Sequence, residues 1–381
     1  MGALEALGIY VHWPFCLSKC PYCDFNSHVA VAVDEARWRD ALVRDLDYFA
    51  AESVGRVVES IYFGGGTPSL MSPQTVGTVI EAVGVRWPVA DTVEISLEAN
   101  PGAAETGRFR DFREAGVNRL SIGVQSLSDK ALRLLGRRHS AVEARTAVER
   151  AHRCFPRVSF DLMYGLPGQT VAHWSDMLGD ALAMAGDHMS VYQLTIEPGT
   201  AFCHQGIESP EEELSIDFFE ATADILARAG LPAYEISNHA RPGGVCRHNV
   251  AVWRGGDYLG IGPGAHGRLS SGGLCYALRQ ICSPEKWLHA VERRGTGVAD
   301  RQALSASERG QELLLLGLRL TNGIEWARFA ALAGVPMAEV INNHALAVLT
   351  EQGDVIADNI GLRATPQGQL RLNSVLAMLL T

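Results

Sequence analysis

The chain has 381 residues, 47% of them hydrophobic and 20% charged, which is too long for one small domain and ordinary enough for a large core with a smaller one beside it. Its 33 Lys and Arg against 43 Asp and Glu leave a net charge of −10, which repels phosphate backbones and argues against nucleic acid as a partner. No apolar run approaches the roughly 20 residues of a spanning helix, and the segment 1–10 carries Glu5 in place of a basic leader, so the expected location is cytoplasmic.

Taken in chain order, apolar and β-branched runs fall at 7–13, 57–63, 92–97, 119–124, 158–164 and 188–196. Between them, segments such as 38–49, 107–115, 129–135 and 173–184 have helical apolar spacing and room for a crossover. This alternation predicts right-handed βαβ units and a parallel sheet, hence an α/β fold. A weaker run at 233–237 is a candidate seventh strand, so the choice lies between a complete eight-fold barrel and an open one of about six units. The glycine-rich stretch 243–273 reads as an ordered loop or junction. Beyond Pro284, helical segments at 307–320, 325–333 and 337–349 precede a turn at Ala364-Thr365-Pro366-Gln367-Gly368 and a last helix, which suggests a small winged-helix-like domain. A winged helix invites a DNA-binding reading, but the acidic balance opposes it. The expected organisation is a barrel over 1–242, a connecting region over 243–283 and a mainly helical domain over 284–381.

The unusual residues cluster at the C-terminal ends of the predicted strands, which in a barrel is the mouth where ligands bind. Cys16, Cys20 and Cys23 follow the first strand, Gly64-Gly65-Gly66-Thr67 the second, and Glu98 and Gln125 stand near the ends of the third and fourth. Asp161 lies on the fifth, followed by Gly165-Leu166-Pro167-Gly168, which lacks the Gly-Lys-Ser/Thr ending of a phosphate loop. Eight cysteines are too few for a disulfide scaffold in a chain of this length, and three of them crowd into one loop. The spacing Cys16-x3-Cys20-x2-Cys23 supplies three thiolates, which suits a [4Fe-4S] cubane with one iron left open to a small ligand. Structural zinc completed by His12 or His28 is the alternative, although closed zinc sites favour two paired knuckles and no second cysteine pair lies nearby. A redox disulfide across Cys20-Pro21-Tyr22-Cys23 would give Cys16 no role.

With this cysteine spacing after a first strand, the sequence resembles the radical S-adenosylmethionine (SAM) superfamily. Tyr10-Val11-His12-Trp13-Pro14-Phe15-Cys16 and Gly64-Gly65-Gly66-Thr67-Pro68 are similar to the branch that contains oxygen-independent coproporphyrinogen III oxidases and HemW-type heme chaperones. The resemblance implies a partial (β/α)6-type barrel and SAM chelating the open iron. Backbone groups of Gly65 and Gly66 and the Thr67 hydroxyl would hold its methionine part. Glu98, Gln125 and Asp161 would serve its amine or ribose hydroxyls, and Arg137 its carboxylate. Tyr22 would lie beside the adenine or cluster, and Tyr10 would border the cluster.

Within that branch the residues favour a carrier over an oxidase. Phe25 stands where the oxidases resemble one another in having a fourth cysteine, and only 15 residues precede Cys16 where the oxidases have a longer segment. Arg247-His248-Asn249-Val250-Ala251-Val252-Trp253 looks like the His-Asn-x-x-Tyr-Trp heme motif, with Val252 in the place of the tyrosine. His248 is then the expected axial heme ligand, with Cys246, His239 and His266 as nearby alternatives. The resemblance implies a heme chaperone serving apo-hemoproteins, respiratory enzymes among them. Peripheral membrane contact and a homodimer are further expectations, and oxidative decarboxylation of a tetrapyrrole is the alternative activity.

Overall fold

The computed structural model describes residues 6–380, so Glu5 and the leader reading lie outside the described residues. Six parallel strands form the centre: β1 (Ala6–Trp13), β2 (Val57–Gly65), β3 (Val89–Ala99), β4 (Arg119–Gln125), β5 (Arg157–Tyr164) and β6 (His188–Gln193). They lie side by side in chain order, as right-handed crossovers require, and make a partial (β/α)6-type barrel. The side chains of β1 show why the sheet folds this way. Leu7, Ile9, Val11 and Trp13 are fully buried in the main core, while Gly8, Tyr10 and His12 alternate onto the inner face. Each fully buried aliphatic side chain contributes about 1.5–3 kcal/mol, so this outer stripe fixes which face of the strand turns inward.

The crossover helices have their own start signals. Asp34 caps the helix Glu35–Ala50, and Ser72 with Pro73 opens Pro73–Arg86. Ser140 and Glu143 form a capping box at the head of Ala141–Cys154. Trp38, Leu42, Leu46 and Phe49 on the first of these helices face the sheet.

The edges of the sheet differ from the sequence expectation. The run at 233–237 is not a seventh parallel strand: β7 (Ala233–Glu235) and β8 (Asn238–Ala240) form a tight hairpin, and β8 runs antiparallel to β6. A parallel strand needs a long crossover, whereas the Glu235 carboxylate accepts from the Ser237 N–H at 2.8 Å and the Asn238 side chain at 2.6 Å and closes the turn locally. At the opposite edge the glycine-rich segment contributes the helix Arg247–Trp253 and three strands, β9 (Asp257–Ile261), β10 (His266–Ser271) and β11 (Leu274–Gln280). β9 pairs parallel with β1, and β12 (Val298–Ala303) completes the edge beyond β11. Gly260 and Gly262 hid this strand from the apolar pattern. Gly262 sits at φ +100°, and a Cβ there would collide with the His12 carbonyl, so glycine is what lets β9 approach β1 so closely.

Trp287, on the helix Pro284–Arg294, stacks flat on Trp38 at 5.4 Å, so the segment after Pro284 begins on the main core. A second core draws on residues from Leu313 onward, including Phe329, Leu349, Leu362 and Leu379. Around it lie the helices Ala306–Gly317, Trp326–Ala333, Asn343–Glu351 and Leu372–Leu380. A small sheet joins β13 (Ile324–Glu325), β15 (Gly361–Ala364) and β14 (Val355–Ala357), which gives the winged-helix-like arrangement its hairpin. No helix among the described residues is long and apolar enough to cross a membrane.

Gly262→Ala should lower stability by about 1–3 kcal/mol, because both the left-handed backbone and the His12 carbonyl resist a Cβ. Urea unfolding monitored by tryptophan fluorescence measures it; a midpoint equal to that of the unaltered protein would remove the close approach of β9 as a constraint.

Candidate functional site

The cysteine loop leaves β1 at the mouth of the barrel and is tied down at both ends. The Pro14 carbonyl accepts from the His28 N–H at 2.7 Å, and the Cys23 N–H closes a turn on the Cys20 carbonyl at 3.1 Å. Farther along, the Asn26 side chain donates to the carbonyls of Pro263 and Cys282, both at 2.9 Å, and His12 Nε2 meets the Asn26 carbonyl at 3.0 Å. Each thiol has a polar neighbour. The Thr67 hydroxyl donates to Cys16 Sγ at 3.3 Å, the Arg137 guanidinium to Cys20 Sγ at 3.5 Å, and Ser27 Oγ lies 3.5 Å from Cys23 Sγ. Burial pushes the Cys16 thiol up, with Cys23 and Cys20 adding to it, while Thr67 and Arg137 pull the other way. A donor set of three neighbouring thiols backed by a hydroxyl and a guanidinium fits a bound electropositive cluster, which removes the thiol protons. Among the described residues, no three His, Cys, Asp or Glu side chains close on a point where one metal ion would sit.

Three glycines let the end of β2 press against this loop. A Cβ on Gly64 would meet the Tyr10 ring at 2.9 Å, one on Gly65 the His12 ring at 2.7 Å, and one on Gly66 the Pro14 carbonyl at 2.8 Å. Gly65 also lies at φ +113°, which side chains rarely adopt. The amides of this turn are already used: the Gly66 N–H donates to the Trp13 carbonyl at 2.7 Å and the Thr67 N–H to the Phe15 carbonyl at 2.9 Å. What Gly66 and Thr67 can offer a ligand is therefore carbonyl oxygen and hydroxyl, a narrower set than the sequence suggested.

Beneath the loop the inner face of the barrel is polar. Glu98 accepts from the Tyr62 hydroxyl at 2.8 Å, and burial pushes its carboxyl up to about 7, with Asp161 adding to the shift. Burial likewise pushes Asp161 up to about 6, against hydrogen bonds from Ser190 and Ser121. Two nearby carboxylates that resist ionisation are a ready seat for a cation, whose charge would relieve both. Arg137 donates to the Asn100 side chain at 2.5 Å and the Gly123 carbonyl at 2.8 Å. Gln125 accepts from the Tyr192 hydroxyl at 2.8 Å, and among the described residues it is the one non-glycine with positive φ, at 66°. Tyr22 packs on Phe202 at 6.3 Å and borders Arg137 and Cys20. Tyr10 points its hydroxyl at His12 Nδ1, 3.1 Å away, and stacks on Tyr62 at 6.2 Å. The structure thus gathers Cys16, Cys20, Cys23, Gly65, Gly66, Thr67, Glu98, Gln125, Arg137 and Asp161 in and around one mouth.

His248 sits elsewhere. Its ring is buried against the inner wall, 3.0 Å from Ser60 Oγ and stacked on Tyr62 at 5.1 Å and Tyr10 at 6.2 Å. Burial, helped by Arg119, lowers its pKa to about 4, so the imidazole is neutral. Glu94 holds the head of its helix, accepting from the Arg247 N–H at 2.9 Å and the His248 N–H at 3.4 Å, and is itself held by Arg157 at 2.6 Å. Trp253 lies on the other side of the short helix, about 140° around from His248, as 3.6 residues per turn dictates. There the Arg319 guanidinium stacks on its ring at 4.6 Å. The two motif residues therefore face different compartments. Of the alternatives, Cys246 is buried with its thiol on Glu94 and pushed up to about 11 by burial, His239 is buried, and His266 is exposed.

Sequence reading missed Tyr62, Asn100, Arg119 and Tyr192. Tyr62 and Tyr192 follow from alternation along β2 and β6, since each shares the inner face with polar neighbours. Arg119 carries the same signal on β4, in step with Ser121 and Gln125, but Asn100 carries none. Their roles come from partners distant in the chain: Asn100 links Arg137 to the Thr67 hydroxyl, and Arg119 donates to Ser159 at 3.0 Å.

A family model described as the radical SAM superfamily matches residues 10–181, and one described as the HemN C-terminal domain matches 304–371. The cattle protein named radical S-adenosyl methionine domain-containing protein 1, mitochondrial, is 42% identical over 99% of this chain and 88% of its own. The Escherichia coli heme chaperone HemW is 37% identical over the whole of both chains. Among solved structures, the E. coli coproporphyrinogen III oxidase HemN, described as a radical SAM enzyme, superposes with a TM-score of 0.83 over 98% of this chain and 90% of its own. At 22% identity that last likeness speaks for the fold alone.

The raised Glu98 pKa means that the folded chain keeps a proton which the unfolded chain gives up between about pH 4.5 and 7. Its contribution to stability is present at low pH and is lost as pH rises through about 7. Glu98→Gln in the metal-free protein should therefore gain thermal stability relative to the unaltered protein as pH goes from 5 to 8. Melting temperatures across that range test this, and a difference independent of pH would contradict the burial of an ionisable Glu98.

Proposed function

The chain belongs to the HemW-type branch of the radical SAM superfamily, and from that premise we propose that it binds heme and delivers it to apo-hemoproteins. The observation that carries this reading is the match to the E. coli heme chaperone HemW across the whole of both chains. Phe25, exposed at the barrel mouth, supports it, because the oxidases of this branch resemble one another in placing a cysteine there.

The cofactor assignment belongs to the same proposal. Cys16, Cys20 and Cys23 would hold a [4Fe-4S] cluster, each thiolate on a different iron. Bound there, the cluster would supply an iron with an open position for the amine and carboxylate of SAM. The rest follows from this chain's own groups. Arg137, fixed by Asn100 and Gly123, would meet the SAM carboxylate, and Glu98 and Asp161 would take its amine or ribose hydroxyls. Gln125 and Tyr22 would line the nucleoside side, Tyr10 the cluster side. We assign this assembly a structural or regulatory role, with a homodimer as one thing it could govern, and place the protein in the cytoplasm with respiratory hemoproteins among its recipients.

His248 is the proposed heme ligand. A neutral imidazole is the form that binds iron, but its present packing on Tyr10 and Tyr62 means that the helix Arg247–Trp253 must move off the barrel to present it. With Val252 in place of a tyrosine, no phenol from that position assists.

Three measurements test these statements, the first two on anaerobically reconstituted protein. In a heme titration followed by the Soret band, His248→Ala should weaken binding at least tenfold and change the ligation spectrum; unchanged affinity and spectrum would sink the His248 assignment. With coproporphyrinogen, SAM and a strong reductant, no product should form at enzymatic turnover, and its formation would replace the carrier by an oxidative decarboxylase. Alanine at all three of Cys16, Cys20 and Cys23 should abolish bound iron and acid-labile sulfide together. One equivalent of zinc without sulfide in the unaltered protein would remove the cluster from the proposal.

A further inference from the structure

Between the helix Arg247–Trp253 and the second core lies a cleft of about 210 Å³, lined by none of the cysteine-loop residues. Its walls include Tyr234, Val250, Trp253 and Arg254 on one side and Leu320 and Arg328 on the other. Three features make it more than a seam. The indole N–H of Trp253 is buried in the wall and has no acceptor among the described residues. Such a donor costs about 1–3 kcal/mol when left unmade, so its presence beside a cleft points to an acceptor supplied from outside. Next, the cleft is rich in guanidinium: Arg254 and Arg328 both line it, and Arg319 stacks on Trp253 with its own Nε buried and without an acceptor. Last, the two lining arginines are not locked into ion pairs. Both arginines are exposed and, among the described residues, neither forms an ion pair with a carboxylate; Arg328 donates from Nε to the Arg254 backbone carbonyl at 3.0 Å, which ties its guanidinium to the end of the helix. Arg319 is committed through Nη2 to the buried Glu235, and the one acidic side chain in the lining, Glu325, is exposed. After burial itself, Arg254 disfavours the Arg328 charge, Glu325 favours it and Arg309 disfavours it.

We infer that this cleft binds a carboxylate, with the guanidiniums of Arg254 and Arg328 and the indole N–H of Trp253 as its donors. A planar two-oxygen anion matches a guanidinium fork and leaves a lone pair for the indole, a combination a neutral ligand meets less well. The volume admits a short acidic arm, not a macrocycle. The source of the carboxylate rests on the carrier reading above: a tetrapyrrole cargo carries propionates, and this cleft opens on the face of the helix opposite to His248. Seated there, one propionate would anchor the cargo to the side of the helix that carries Trp253.

The test has two arms. In the first, the protein is labelled with 15N-tryptophan, and the indole signal that disappears in Trp253→Phe is followed during titration with glutarate, with sodium chloride at matched ionic strength as the control. The expected result is a saturable downfield shift of that signal, absent when Arg254→Gln and Arg328→Gln are combined, while the other indole signals stay in place and report an intact fold. No shift beyond the chloride control, or an equal shift in the double variant, overturns the site. In the second arm, heme and heme dimethyl ester are titrated into both proteins. The double variant should bind heme about tenfold more weakly and the ester unchanged. Equal loss for both ligands, or none for heme, overturns the propionate as the source. If the unaltered protein binds neither porphyrin, it is the carrier reading that fails, and the glutarate arm still decides the site.

Discussion

The candidate site depends on how closely two strand ends can approach. Gly64, Gly65 and Gly66 have no side chains, so the end of β2 lies against Tyr10, His12 and the Pro14 carbonyl, and the amides of Gly66 and Thr67 lock onto Trp13 and Phe15. That contact sets the Thr67 hydroxyl on Cys16 and fixes where the cysteine loop begins. From Thr67 the chain of contacts continues through Asn100 to Arg137 and on to Cys20, so two of the three thiols are tied to one polar relay that crosses β1, β2, β3 and the segment after β4. Any residue larger than glycine at the contact would have to push the loop outward, and the relay would lose its spacing.

The barrel wall divides its labour by face. Outward, the strands are aliphatic and carry the stability; inward, they carry tyrosines, serines, carboxylates and Arg119. The polar interior costs stability, because Glu98 and Asp161 are held away from their preferred charged states. A fold selected for stability alone would have filled this space with aliphatic side chains, as packed barrels do. Two reluctant carboxylates and a guanidinium around one opening give a site able to receive charge from outside.

Much of this was legible in the sequence. The six parallel strands were found because each is an apolar, β-branched run followed by a helical period, and the mouth residues were found because they stand where those runs end. What escaped detection did so for identifiable reasons. β9 was read as loop because Gly260, pressed against the His266 carbonyl, and Gly262, which permits the approach to β1, erase its apolar pattern. The segment 233–237 scored as a strand and is one in part, but local composition cannot tell a crossover partner from one arm of a hairpin. The likeness of 247–253 to a heme motif carries no information on which way each side chain faces, and helical geometry turns His248 and Trp253 to opposite sides. Asn100 was invisible because its importance lies in partners that are far away in the chain.

Gln125 adds a last point. It ends β4 in a left-handed backbone conformation at φ 66°, which costs a non-glycine residue of order 1–2 kcal/mol, and its side chain is held by Tyr192. Glycine would relax the backbone and give up the amide. The position is thus a point of conflict between durability and use: directed evolution scored on heat resistance alone would drift towards glycine there, and scoring on retention of a ligand in the mouth would hold glutamine in place.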